Sequence, residues 1–103
     1  MKGIPVTKQN PVAGMVWFRL EDYEAAIGIM EDRDKFPATY SAWRIKAEQA
    51  EKQMQRLGWS TTRAYINAAD FGAWCRVRKL NLNAEARNQF ANSIALDAAR
   101  SME

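Results

Sequence analysis

The chain reads PATYSAWRIKAEQAEKQMQRLGW from Pro37 to Trp59, and this stretch decides the fold. Its apolar and small residues recur at alternating spacings of three and four, which places their side chains on one face of an α-helix. The members of this stripe are Tyr40, Trp43, Ala47, Ala50, Met54 and Leu57. Gly58 then suits the left-handed position that ends a helix, and Trp59 suits the apolar position that folds back on Met54. We therefore predict a core helix over residues 38–57.

Hydrophobic patterns on either side of this helix predict the other elements. Apolar and aromatic runs predict strands over residues 15–20 and 61–67, and helical spacing predicts three further helices. With the core helix included, the predicted helices span residues 22–31, 38–57, 68–79 and 83–100. The fold class is therefore α+β with the order β-α-α-β-α-α, a small two-stranded sheet packed on helices. The connection between the strands is long enough for a parallel pair, which we favour over an antiparallel one.

Polar residues before the helices suit N-caps, because their side-chain oxygens can accept hydrogen bonds from the first free backbone N–H groups. Thr39 is an alternative start for the core helix, Asn67 precedes the third helix and Asn83 precedes the fourth. Asn81 suits a left-handed residue that ends the third helix. The sequence thus predicts not only the elements but also several of their boundaries.

The chain of 103 residues is predicted to form one globular domain over residues 14–103, preceded by a flexible tail over residues 1–13. The first residues contain a lysine but no apolar segment typical of a secretory signal. No apolar run approaches the roughly 20 residues that a membrane-spanning helix needs. We therefore expect a cytoplasmic protein that does not enter a membrane.

Histidine is absent and Cys75 is the only cysteine. These two facts remove the commonest general base, the commonest transition-metal ligand and the usual partner of a serine or cysteine nucleophile. We expect Cys75 to be a buried core residue. We expect Glu31, Asp32 and Asp34 to form a solvated helix end, because they lack the ligand set of a calcium loop. The sequence predicts no enzyme, no catalytic residue, no cofactor and no metal site.

One face of the predicted sheet combines aromatic and basic side chains. Its members are Trp17 and Arg19 on the first strand and Arg63 and Tyr65 on the second. Further basic residues that extend this candidate surface are Arg76, Arg78, Lys79 and Arg87. If the face is exposed, it resembles the platforms on which single-stranded nucleic acid stacks its bases. If a helix or a second subunit covers it, the arginine stems cover apolar surface instead.

Three segments resemble a group of small uncharacterised (hypothetical) bacterial proteins. They are P-x-T-Y-x-x-W-x-x-x-A-E at 37–48, F-x-x-W-C at 71–75 and A-R-x-x-F-A at 86–91. The resemblance covers roughly residues 15–95 and implies a bacterial source. No known activity, ligand or catalytic residue accompanies it. The chain departs from the group at Asn67, Ala68 and Ala69, where an acidic or proline-bearing turn is expected.

These observations favour a small accessory or protein-interaction domain without catalytic activity. Its partner is expected to be another protein or a second copy of the chain. A homodimer would either extend the two-stranded sheet or bury Trp17 and Tyr65. The alternative is a single-stranded nucleic-acid-binding protein that uses the basic aromatic face.

Overall fold

The computed structural model describes residues 11–101, and its elements follow the predicted order. They are β1 (Val12–Trp17), α1 (Leu20–Gly28), a short 3₁₀ turn (Arg33–Lys35), α2 (Tyr40–Arg56), β2 (Ser60–Tyr65), α3 (Ala68–Arg78) and α4 (Ala84–Ser101). The α+β class with its β-α-α-β-α-α order is confirmed. Most of the tail predicted for residues 1–13 lies outside the described residues, whereas Val12 and Ala13 belong to β1.

The first strand begins at Val12, earlier than the strand predicted over residues 15–20. The chain leaves the strand after Trp17 because Arg19 is already the N-cap of α1, with extended backbone angles (φ −87°, ψ 156°). Leu20 therefore starts a helix instead of ending a strand, and its side chain is exposed. The apolar run MVWFRL indicated a strand correctly but did not show where the strand stops.

The two strands pair in parallel, as favoured from the sequence, with Val12 beside Ser60 and Trp17 beside Tyr65. Helices cover both faces of this narrow sheet. Gly14 faces α4, and a Cβ atom added there would collide with the backbone carbonyl of Ala91. Three layers result, with α2 on one face of the sheet and α4 on the other.

Helix α2 begins after the alternative N-cap Thr39, two residues later than the predicted start at residue 38, and it ends at the predicted glycine. The Thr39 side chain accepts a hydrogen bond from the Ala42 N–H at 3.1 Å. At the other end Gly58 has a φ of 95°, and the Trp59 N–H donates to the Met54 carbonyl at 3.1 Å. This is the hydrogen bond of a Schellman motif, which satisfies a carbonyl that the helix itself leaves free.

The apolar stripe of α2 is only partly used by the core. Trp43 is buried and Ala47 is half-buried, whereas Ala50 and Leu57 are exposed. A sheet of two strands is narrower than the stripe that lies over it. Part of the helix face therefore extends past the edge of the sheet.

Local signals also set the ends of α3 and α4. The Asn67 side chain accepts from the Asp70 N–H at 2.8 Å, and Asn83 caps α4. The left-handed residue after α3 is Lys79 (φ 58°), not Asn81 as predicted. The helix stops earlier because Leu80, the next residue, packs against the core.

Aromatic side chains form the centre of the core. Phe18 is completely buried, and its ring meets those of Tyr23, Phe36 and Trp43 edge to face at 5.1–6.1 Å between centroids. A second group joins α3 to α4 through Phe71, Trp74 and Phe90. Edge-to-face pairs of this kind add roughly 0.5–1.5 kcal/mol each beyond the area they bury.

Candidate functional site

The eight residues considered as one basic aromatic surface do not form one surface. Trp17 is only 2% exposed, because its ring packs edge to face on Trp43 of α2 with 5.3 Å between centroids. The exposed platform that included Trp17 is therefore wrong: α2 crosses this face of the sheet. The same contact shows that no second subunit is needed to bury Trp17.

Arg63 is occupied within its own chain. Its guanidinium lies 4.0 Å from the centre of the Trp17 ring and donates two hydrogen bonds to Glu51, at 2.8 and 2.9 Å. These hydrogen bonds lower the pKa of the Glu51 carboxyl against the opposing effect of its burial. Arg63 thus matches the alternative in which an arginine covers apolar surface.

Two parts of the predicted surface remain accessible. Arg19 places its guanidinium 3.9 Å from the centre of the Tyr65 ring, beyond the carboxyl ends of the two strands. Arg76, Arg78 and Lys79 are exposed at the end of α3. They complement the negative end of the helix dipole. The accessible basic residues are therefore divided between two places instead of lining one path.

Arg87 was a candidate extension of this surface, and the structure places it inside the molecule. It is 8% exposed and donates to both carboxylate oxygens of Asp32, at 2.9 and 2.8 Å. Its guanidinium also lies 4.8 Å from the centre of the Phe36 ring. Asp32 is therefore not part of a solvated helix end, as was predicted, but half of an ion pair that holds the loop after α1 against α4.

We expect the Asp32–Arg87 pair to make stability depend on acidity. Hydrogen bonds from Arg87 lower the pKa of Asp32 in the folded protein. The ion pair therefore stabilises the fold at a pH above the pKa of an aspartate in the unfolded chain, which is about 3.9. This stabilisation is lost as the pH falls through the lower folded-state value. Urea unfolding of Asp32→Asn between pH 7 and pH 2 should show a loss of about 1–3 kcal/mol at pH 7 that disappears at the acid end. Asp34→Asn is the control, and an equal effect there would contradict the assignment.

Cys75 behaves as the core residue that was predicted. It is 1% exposed, and burial raises the pKa of its thiol. A buried thiol with a raised pKa is a poor nucleophile. Between Pro11 and Ser101, no group of three histidine, cysteine or acidic residues could hold a metal ion.

The sequence indicated that a partner could extend the two-stranded sheet but did not identify the edge, and the outer edge of β1 has a distinct geometry. Ser60 N–H donates to the Pro11 carbonyl at 2.8 Å, and Ile66 N–H donates to the Trp17 carbonyl at 2.9 Å. Parallel pairing uses every second residue of a strand, so alternate residues from Pro11 to Trp17 point their backbone groups toward β2. The N–H and C=O groups of Val12, Gly14 and Val16 therefore point away from it.

Grooves follow this outer edge for the length of the strand. One, of about 420 Å³, is lined by consecutive β1 residues from Gly14 to Phe18, with Ala47 of α2 and Asn88 of α4 on its sides. Another, of about 430 Å³, is lined by Val12 and by Leu96 and its neighbours on α4. Consecutive residues of a strand face opposite sides, so they line one groove only along the strand's edge. No β2 residue lines either groove. The first groove therefore lies at the outer edge of β1, and the second lies between Val12 at the start of the strand and α4.

The two edges of the sheet differ in chemistry. The outward positions of β2 are Thr61, Arg63 and Tyr65. Arg63 is itself charged and forms an ion pair, and the Arg19 guanidinium lies over the Tyr65 ring. β1 reads VAGMVW and contains neither a charge nor a proline. Proteins commonly protect open sheet edges with such residues, because free backbone groups invite another strand. Between Val12 and Trp17 the edge of β1 has none of these residues.

Within the part of the chain that the structure covers, no helix is both long and apolar enough to cross a bilayer. Comparison with protein-family models, with curated proteins and with solved structures finds no match to this chain.

Proposed function

We propose that this protein is a non-enzymatic protein-interaction domain that binds an extended polypeptide segment along the outer edge of β1. The observation that carries the proposal is the set of outward backbone groups at Val12, Gly14 and Val16. They lie beside one groove lined by α2 and α4 and a second groove lined by α4. A strand added at a sheet edge gains main-chain hydrogen bonds for affinity and side-chain pockets for specificity. The edge of β1 offers both.

The placement of α2 and α4 beside the sheet supports the binding of an extended segment at the edge of β1. Helices α2 and α4 lie on opposite faces of the sheet, and Ala47 of α2 and Asn88 of α4 both line the groove beside β1. Small side chains there leave room for the backbone of a further strand. A sheet of only two strands is marginal by itself, so an added strand would also stabilise the fold.

We also propose that the groove beside β1 performs no catalysis. The ionisable side chains on the groove of about 420 Å³ are Lys46 and Arg87, and Arg87 is already paired with Asp32. The chain has no histidine, and its one thiol is buried. General acid–base or nucleophilic chemistry at this groove would lack the groups that usually perform it.

A display library of random ten-residue linear peptides tests the proposal, because it samples many extended segments and requires no named partner. Peptides enriched on the protein should shift and protect the amides of Gly14 and Val16 in ¹⁵N NMR spectra. The amides of Ala13 and Met15 already bond to β2 and should change little. Val12→Lys should weaken binding at least tenfold, because it places a charge beside the edge.

The matched control is Thr61→Lys, which places the same charge on the opposite edge of the sheet and should leave peptide binding unchanged. Enriched peptides that perturb only α3, or a library that yields no binder to a monomeric chain, would contradict the proposal.

The nucleic-acid alternative enters the same experiment as a second probe. With Trp17 buried and Arg63 paired, it rests on Arg19 with Tyr65 and on the basic end of α3. A labelled mixed-sequence oligonucleotide should therefore show no binding at moderate salt. Salt-sensitive binding that is lost in Arg78→Glu would favour the alternative, because phosphate contacts weaken steeply as salt rises.

A further inference from the structure

We propose that the segment bound at this edge is β1 of a second copy of the same chain. The two strands would pair antiparallel about a twofold axis at Gly14, giving one continuous four-stranded sheet. This inference rests on the proposed function, since it names the partner of that same site. Twofold dimers use the same patch on both subunits, so the patch must be complementary to itself.

The backbone of β1 meets that requirement in one register. Its outward residues Val12, Gly14 and Val16 are spaced evenly, with Gly14 at the centre. About this centre, Val12 lies opposite Val16 of the other copy, and Gly14 lies opposite itself. Each such pair exchanges two hydrogen bonds in an antiparallel ladder. Any register shifted along the strand leaves at least one outward residue without a partner.

The chemistry of the edge favours a copy of itself over a charged segment. Because β1 carries no charge, pairing it with another β1 removes no charged group of either strand from water. β2 lacks this property, because Arg63 and Arg19 accompany its outward positions. Of the two edges, the neutral one is therefore the edge suited to self-association.

Apolar side chains beside the edge would gain burial in the same arrangement. Val12 and Leu96 are 41% and 57% exposed, and both line the groove of about 430 Å³. Their neighbours Asn92, Ala95 and Ala99 on α4 have short side chains. A twofold axis normal to the sheet brings α4 of both copies to the same face, and short side chains allow the two helices to approach.

The arrangement also differs from the dimer that would bury Trp17. The Trp17 side chain is already covered by Trp43 of α2, so it takes no part in the proposed contact. Trp17 is only the last residue of the strand that would pair. The proposed contact uses the edge of the sheet, not its face.

Light scattering after size-exclusion chromatography tests the inference on the full chain over a range of concentrations. The expected mass is twice 11.8 kDa at high concentration. Val12→Lys should raise the dissociation constant about a hundredfold, because a twofold interface contains each substitution twice. Thr61→Lys should behave as wild type. Dissociation should depend little on salt, since the paired strands are uncharged.

NMR on a mixture of differently labelled copies establishes the register. We expect a contact between the Hα atoms of Ala13 in one copy and Met15 in the other, and slow exchange of the Gly14 and Val16 amides. A chain that stays monomeric at every concentration, a dimer joined through other residues, or a Val12→Lys variant that dimerises like wild type would overturn the inference.

The two proposals fail separately. If the chain is monomeric but library peptides protect the Gly14 and Val16 amides, the edge binds strands and its partner is another protein. If the chain dimerises elsewhere and no peptide reaches β1, both proposals fall.

Discussion

Replacing Gly14 by alanine should lower the free energy of unfolding by about 3 kcal/mol or more. The new Cβ atom would overlap the backbone carbonyl of Ala91, in the middle of α4. Overpacking in a core usually costs about 1–3 kcal/mol, because side chains can shift to relieve it. Here the obstacle is a helix backbone, so α4 itself would have to move away from the sheet.

Urea unfolding followed by circular dichroism measures this effect. Gly28→Ala is the matched control: nothing lies near its added Cβ, and alanine is the better helix former by about 1 kcal/mol. The control should therefore be neutral or stabilising. A Gly14→Ala protein as stable as wild type would show that α4 does not lie so close to β1.

Trp43→Ala should cost about 3–5 kcal/mol, as truncations of large buried aromatics do. Trp43 is 8% exposed and contacts the rings of Trp17, Phe18, Tyr23 and Tyr40, with centroids 5.1–5.8 Å apart. Its removal would leave a cavity between α2 and the sheet. It would also remove the ring that packs edge to face on Trp17.

Ile45→Ala provides the comparison, since Ile45 lies on the same helix and is 59% exposed. That variant should change the free energy of unfolding by less than about 0.5 kcal/mol, as surface substitutions usually do. Circular dichroism is again the suitable signal, because removing a tryptophan alters fluorescence directly. Equal effects of the two substitutions would mean that α2 presents a different face to the core.

The caps show where local sequence was sufficient. Thr39, Asn67 and Gly58 act through hydrogen bonds or backbone angles within a few residues, so their roles could be predicted before any tertiary contact was known. The same holds for the order of elements, which follows from hydrophobic spacing. Lys79 is the exception. It takes the left-handed conformation because its neighbour Leu80 packs against the core, although Asn81 adopts that conformation more readily.

The candidate surface shows where local sequence was not sufficient. Alternation correctly placed Trp17 and Arg63 on one face of the sheet, but it could not tell which faces the helices would cover. The Asp32–Arg87 pair joins residues 55 positions apart, and neither residue lies in a pattern that points to the other. Such contacts depend on how elements pack, which spacing along one element does not encode.

The sequence by itself determined the α+β class, the order of the elements, most helix boundaries and the burial of Cys75. Each of these depends on the period of a hydrophobic pattern, on a cap or on the general preference of a residue type. The tertiary structure alone decided that α2 buries Trp17, that Arg87 lies inside, and that among the described residues a groove lined by α2 and α4 follows the outer edge of β1. These features arise because two helices cover both faces of a sheet that is narrower than they are, and the relative placement of layers is a property of the assembled chain.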